Sequence, residues 1–477
     1  MRDIHTTKPR FARLRKIGKF ALFGSVALAL CVVVVVWHSR VEKRRAWAEI
    51  QKRLDAIRAS GEPVTAEDLA KLYPDPPPDR DAALLLAPAL AALRLPDSSM
   101  ELPFFNNVEL PSGTQALIDQ MRTNIQSVLD DNEAALNAIP WDKLTNAWVG
   151  SSFALGFEQD GLSVSMQRLL NGLSKMLLLE PILEGESGNG TKAGESLRRA
   201  LTLAHIFRSD TMRNHFLRQS REEMGCEILE RLMNRVEIPA EELAALERQL
   251  SDDPPEGFRE AFVMERCRSI FSMIMIPSMP NSAWGISNFN ESSLKVAADA
   301  QLFGTYMRLS GRLYSDNDFI EMLDVRAAQI AALKLPLKER FDEFARLKKQ
   351  VASEGSPTYA SQFFGAARDW SRHLRSDAET LAKLQVTRAA LEIERWRLAH
   401  GGRAPDSLAD LVPEFAPSIP LDPFDNNPLR YKKLARGFLL YSIGADFTDD
   451  GGKEKEGDLT GYETDSDHYD ITFSVER

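Results

Sequence analysis

The chain has 477 residues, 44% of them hydrophobic and 27% charged, a composition that excludes disordered and fibrous classes and leaves room for about two to four packed domains. Its net charge of −10 is unevenly spread: residues 1–45 carry eleven Lys and Arg against Asp3 and Glu42, a balance of +9 that leaves −19 for the remainder. A body this acidic lacks the basic face that phosphate binding requires, which excludes nucleic acid as its partner.

Phe20 to Trp37 contains eighteen residues without a charge, about 27 Å of helix and close to the hydrocarbon thickness of a bilayer. A cleaved signal peptide has a shorter apolar region followed by small residues, whereas this run exits into His38-Ser39-Arg40. The expectation is an uncleaved single-pass membrane anchor over 20–38, behind a basic tail over 1–19. Arg2, Lys8, Arg10, Arg13, Arg15, Lys16 and Lys19 precede the span; Arg40, Lys43, Arg44, Arg45, Lys52 and Arg53 follow it. That near tie leaves orientation to the short N-terminal tail, which favours an N-terminus inside the inner membrane and a main body outside it. Trp47, Ile50, Leu54 and Ile57 then recur at helical spacing on one side of a stalk that ends at Gly61. Thr65, Glu67 and Asp68 start a short helix, and Tyr73 to Pro78 is a stiff proline-rich connector closing the 39–78 segment.

From 79 to 375 apolar residues recur at three- and four-residue spacing, in runs at 114–137, 162–183, 194–236, 239–250, 256–276, 291–313, 318–349 and 357–374. Turn chemistry separates them: Glu184 to Gly190 reads as too polar and glycine-rich to order itself, Asp252 to Pro255 breaks a helix, and Pro277 to Ser293 reads as a longer loop. No fixed repeat period is present, so the expected fold is an irregular antiparallel helical bundle. Of the three cysteines, Cys31 falls in the span, and Cys226 and Cys267 fall on different helices as buried free thiols, with a disulfide between them as the alternative.

The last hundred residues, 376–477, change character. A helix from Asp377 to His400 ends at Gly401-Gly402, a short one runs from Asp406 to Val412, and strands follow at Leu429–Leu434, Phe438–Ser442 and Tyr469–Val475. Helices followed by strands give a small α+β module, so the chain as a whole is mainly α.

This module carries a succession of residues: Ala389-Ala390-Leu391-Glu392, Arg397 to Pro405, Leu411-Val412-Pro413, Ile419 to Asp425, Pro428 to Tyr431, Tyr441 to Asp446 and Tyr469-Asp470-Ile471. In that order they resemble the carboxy-terminal domain of the type II secretion major pseudopilin, over about a fifth of the chain. The resemblance implies a helix packed on a small antiparallel sheet and a calcium ion holding the final loop. The departures are equally clear, since the apolar span lacks the family's Glu five residues in and lies some 340 residues before the similar domain. The chain therefore looks like a larger anchored protein carrying a pseudopilin-like end. Gly61-Glu62-Pro63, Leu69 and Tyr73-Pro74 resemble a stretch of large uncharacterised bacterial membrane proteins with such a tail.

Asp446, Asp449, Asp450, Asp458, Asp465, Asp467 and Asp470 crowd the loop before the last strand, with Gly451 and Gly452 permitting sharp turns. Carboxylates so concentrated repel one another unless a hard cation with oxygen ligands neutralises them, and Ca²⁺ accepts six to eight such ligands. The expected metal set is Asp446, Asp449, Asp450, Asp458 and Asp470. In the resemblance Asp446 takes the place of the Asp after Gly-Ala and Asp470 that of the Asp before Ile. An EF-hand does not fit, because position 12 is Gly457 where a bidentate Glu is required. The alternative is a solvated acidic loop without metal.

Other candidates resolve to structural readings. Gly188 to Ala193 matches GxGxxA, with Asp210 near the ribose offset, but no buried strand precedes it. Met273, Met275 and Met279 read as helix core before they read as copper ligands. His205, Arg208, Arg213, His215, Arg218, Arg221, Glu222 and Glu223 are dense enough to bind an anion, yet on a surface helix they form a solvated, salt-bridged face. No HExxH, GxSxG or Walker A sequence occurs. The expectation is a non-enzymatic, membrane-anchored structural or interaction protein whose partners are envelope or secretion components. The alternatives are a subunit of a secretion or pilus-like assembly and an envelope enzyme with its site in the helical domain.

Overall fold

The computed structural model describes residues 10–105, 108–150, 164–208, 211–250, 257–275, 316–353, 370–454 and 468–477, with side chains from Leu30 onward. The helix expected at 291–313, the loop at 277–293, the breaker at 252–255 and most of the run at 357–374 lie outside these residues. Within them the protein is mainly helical, with a small three-stranded antiparallel sheet at its C-terminal end.

The first helix, α1 (Arg10–Ala59), is continuous over 50 residues, about 75 Å. Leu30 and Val32 to Trp37 are 43–66% exposed, an apolar surface that no described side chain covers. Among the described residues no helix is long and apolar enough to cross a membrane; the span expected at 20–38 has its first ten side chains outside that set. The stripe on the far half of α1 has a partner. Ile50 and Leu54 are buried against Val64, Ile270, Met273, Phe319 and Met322, and Arg53 grips Asp324 through two hydrogen bonds of 2.6 and 2.9 Å. The stalk is thus seated in the helical body by its apolar face. Helix α2 (Ala66–Leu72) opens on the expected Thr65, in a capping box completed by Asp68.

The body follows as α3 (Ala82–Ala92), α4 (Asp119–Asp131), α5 (Glu133–Asn137), α6 (Trp141–Leu144), α7 (Val164–Leu177), α8 (Leu179–Glu186), α9 (Gly190–His205), α10 (Met212–Arg235), α11 (Ala240–Leu250), α12 (Gly257–Met275), α13 (Asp316–Ala332) and α14 (Leu337–Ser353). Four expected runs are broken, those at 114–137 and 162–183 only by the single residues Asn132 and Leu178. The run at 194–236 divides into α9 and α10, where the Thr211 hydroxyl accepts from the Asn214 amide and starts a new helix. The run at 318–349 divides before Leu337, because Pro336 cannot continue the first helix. The Glu184–Gly190 loop is the opposite case. Helix α8 extends to Glu186, Gly188 turns the chain at φ +76°, and Asn189 caps α9, so the segment expected to be without order is a tight turn. A methyl group at Gly190 would lie 2.0 Å from the Glu237 carbonyl oxygen. The glycines there serve helix packing.

The chain ends in α15 (Ser371–Ala399), whose last turn closes on Gly401 and Gly402 at φ +67° and +85°. Strands β1 (Arg430–Lys433), β2 (Phe438–Ser442) and β3 (Ile471–Val475) then pair antiparallel in the order β1-β2-β3, with Arg430 opposite Tyr441 and Leu440 opposite Phe473. The outer edge of β3 is covered by side chains of α10 and α15. Glu230 accepts from the Ser474 amide at 2.8 Å, Asn234 donates to the Ser474 carbonyl and accepts from the Glu476 amide, and Lys383 donates to the Thr472 carbonyl. These contacts satisfy a strand edge that would otherwise invite pairing with another chain. Leu384, Val386, Phe438, Leu440 and Phe473 share one continuous core with Leu197, Ile228 and Leu232 of the body.

Candidate metal centre

Strand β2 delivers the chain through Gly444, at φ +75°, to Asp446. Phe447 follows at φ +59°, a region that costs any residue with a Cβ. Its ring is held edge-on by Phe424 at 5.6 Å and by Phe341 of α14 at 5.7 Å, and the Asp446 carboxylate accepts from the Thr448 amide at 3.0 Å. Packing and turn together fix where Asp446 sits. Gly451 and Gly452, both at positive φ, fold the next turn back toward β3. The Asp470 carboxylate closes it, accepting from the Asp450 amide at 3.3 Å and the Gly452 amide at 2.6 Å.

Side-chain ligand atoms of Asp446, Asp450 and His468 lie within 4.8 Å of one another. His468 Nδ1 meets Asp446 at 2.9 Å. One Asp450 carboxylate oxygen is buried and has no hydrogen-bond partner, the kind of atom a native fold leaves for a ligand or an ordered water. Asp470 is 2% exposed; burial, reinforced by Asp449 and Asp450, raises its carboxyl above the ordinary range despite the two amides it binds. Two carboxylates with the His468 nitrogen beside them form a donor set that suits a divalent cation. Such a cation would be held by Asp446 and Asp450 beside Asp470, and would supply charge neutralisation.

Of the five residues expected to bind metal, Asp446 and Asp450 come together with His468, while both Asp470 oxygens are taken by the Asp450 and Gly452 amides. Asp449 is otherwise engaged: it accepts from the Tyr441 hydroxyl at 3.2 Å and lies 3.7 Å from the Arg430 guanidinium. Asp458 lies outside the described residues. His468 was not among the expected ligands, and its only sequence signal is its place two residues before Asp470.

A second carboxylate organises the module without any metal. Asp422 is fully buried and accepts from the Phe424 amide, the Ser442 hydroxyl, the Ile443 amide and the Arg430 guanidinium, all at 2.8–2.9 Å. Arg430 also forks onto Asp425, whose carboxyl it holds down at about 2.

The polar stretch on α10 corrects the expectation of a solvated face. His215, Arg218, Arg221 and Glu222 are 1–6% exposed, and their partners come from distant segments. Glu222 is held between His205 at 3.1 Å and Arg218 at 2.8 Å, and His215 meets Asp377 of α15 at 2.9 Å. Ion pairing lets charged groups enter a helix interface that composition alone would leave to solvent. Cys226 and Cys267 are buried free thiols, each pushed up to about 12 chiefly by burial. Met273 is core, whereas Met279 lies outside the described residues. Comparison with protein-family models, with curated proteins and with solved structures finds no match to this chain.

Proposed function

We propose that the chain is a single-pass membrane-anchored protein that works by binding, its body and C-terminal module held outside the cytoplasm, with calcium pinning the terminal loop. The convergence of Asp446 and Asp450, with an unpartnered buried oxygen, beside Asp470 carries this reading. Millimolar calcium outside a cell would occupy a site of this kind, whereas cytosolic levels would leave it largely empty. The exposed apolar surface of Leu30 to Trp37 supports the anchor. Seating of Ile50, Leu54 and Arg53 in the body supports a rigid mount, so that the module is presented at a fixed attitude to envelope or secretion components.

The test is topological. Arg436 is exposed in the β1–β2 turn, and an Arg436→Cys variant, made with Cys31→Ser because Cys31 is exposed, adds one reactive thiol to a chain whose Cys226 and Cys267 are buried and protonated. A membrane-impermeant maleimide should label that variant in intact spheroplasts. Labelling only after lysis would place the module inside and overturn the proposal.

A further inference from the structure

Most buried guanidinium groups among the described residues have a carboxylate partner: Arg218 has Glu222 at 2.8 Å, Arg231 has Glu186 at 2.5 Å, and Arg266 has Glu62 at 2.7 Å. Arg221 has none. It is 4% exposed, and its N–H groups reach the Ser174 hydroxyl at 2.9 Å, the Ser220 hydroxyl at 3.2 Å, the Met224 sulfur at 3.6 Å and the Asn171 side-chain carbonyl, all neutral acceptors. The Lys175 ammonium, near enough to feel the Arg221 charge, also lacks a carboxylate. It donates to the Phe104 carbonyl at 2.8 Å and lies over the Phe105 ring. Burial pulls Arg221 down to about 10, and no acid opposes the shift. An isolated charge held this far from water is costly unless it is paired.

Beside this guanidinium lies a cavity of about 20 Å³, lined by Arg221, Arg213, Asn171, Asn214, Ser174 and Gln167 among others, and among the described residues by no carboxylate. That is more than one water needs. Arg221 offers five N–H groups, of which four have acceptors, and the Asn171 amide nitrogen donates to nothing. Unused donors, a second guanidinium and an uncompensated positive charge therefore meet in one cavity.

We propose that this cavity binds a small oxyanion, a phosphate or carboxylate group, which supplies the counter-charge to Arg221 and accepts from Asn171. Guanidinium and amide N–H groups are suited to oxygens presented side by side, which favours an oxyanion over a halide. The site is independent of the terminal acidic loop, and so of the calcium reading.

The experiment is a thermal melt of the full chain in detergent at fixed ionic strength, with chloride replaced stepwise by inorganic phosphate or by acetate, on wild type, Arg221→Met and Asn171→Asp. Wild type should show a saturable rise of about 3 °C or more with at least one oxyanion. The arm that responds distinguishes a phosphoryl from a carboxylate ligand. Arg221→Met should lose the response. Asn171→Asp places a carboxylate beside Arg221, so it should melt higher than wild type in chloride and gain nothing from either oxyanion. An equal rise in wild type and both variants is a general effect of an excluded salt on burial and overturns the proposal. So does a wild type that responds to neither oxyanion, or an Asn171→Asp variant that responds as wild type does.

Discussion

Glu392 faces the interface of α15 with α11 and is 7% exposed, with one carboxylate oxygen lacking any hydrogen-bond partner. Burial raises its carboxyl to about 7 from an ordinary 4.5, and repulsion from Glu247 adds to the shift against the pull of Arg388 and Arg395. A carboxyl whose folded pKa is raised binds its proton more tightly in the folded state. Its contribution is therefore neutral below about pH 4.5, where both states are protonated. Between 4.5 and 7 the unfolded chain ionises first and stability falls as pH rises, and above 7 the full penalty persists. A rise from 4.5 to about 7 corresponds to about 3.5 kcal/mol at the alkaline limit. The Glu392→Gln variant cannot ionise, so it should escape this loss. Urea unfolding of both proteins at pH 5 and pH 8.5 should show the stability of the variant relative to wild type improving by about 2–3 kcal/mol between the two. Any fixed cost of packing an amide cancels in that difference. A gap that does not change with pH would refute the reasoning.

Asp422→Ala strips four donors of their shared acceptor and leaves Arg430 short of a partner, which should cost about 3–5 kcal/mol in urea unfolding; a loss below about 1 kcal/mol would contradict its role in the module. Gly190→Ala drives a methyl group into the Glu237 carbonyl and should destabilise by about 1–3 kcal/mol, although alanine is the better helix former; a variant as stable as wild type would deny the close approach of α9 to the chain before α11.

The parts of the fold governed by neighbouring residues were legible in the sequence. Strand-forming residues at 429–434 and 438–442 placed β1 and β2 to within two residues, and Thr65 with Asp68 announced α2. The stripe of Trp47, Ile50, Leu54 and Ile57 marked a face that is buried at Ile50 and Leu54 and left 44% exposed at Trp47, but not what would cover it, because Phe319 and Met322 lie more than 250 residues on. The polar stretch on α10 misled for the same reason. Periodicity treats charge as a marker of solvent, and what reverses it here is Asp377, 162 residues beyond His215, and Ser174, 47 residues before Arg221. At the candidate metal centre the sequence supplied Asp446 and Asp450, which lie together in one turn, and Asp470, which binds that turn's amides. Asp449 has its partners Tyr441 and Arg430 on other segments, and the position of His468 beside Asp446 carried no signal in the sequence.

The account stands or falls on the cation at that turn. A thermal melt of the full chain in detergent, first in EDTA and then with added Ca²⁺ or Mg²⁺, should be run on wild type and on Asp446→Ala. Calcium should raise the wild-type melting temperature, magnesium should not, and the substitution should abolish the rise. No rise with calcium, or an equal rise in Asp446→Ala, would show that the terminal carboxylates hold no calcium and would contradict the account.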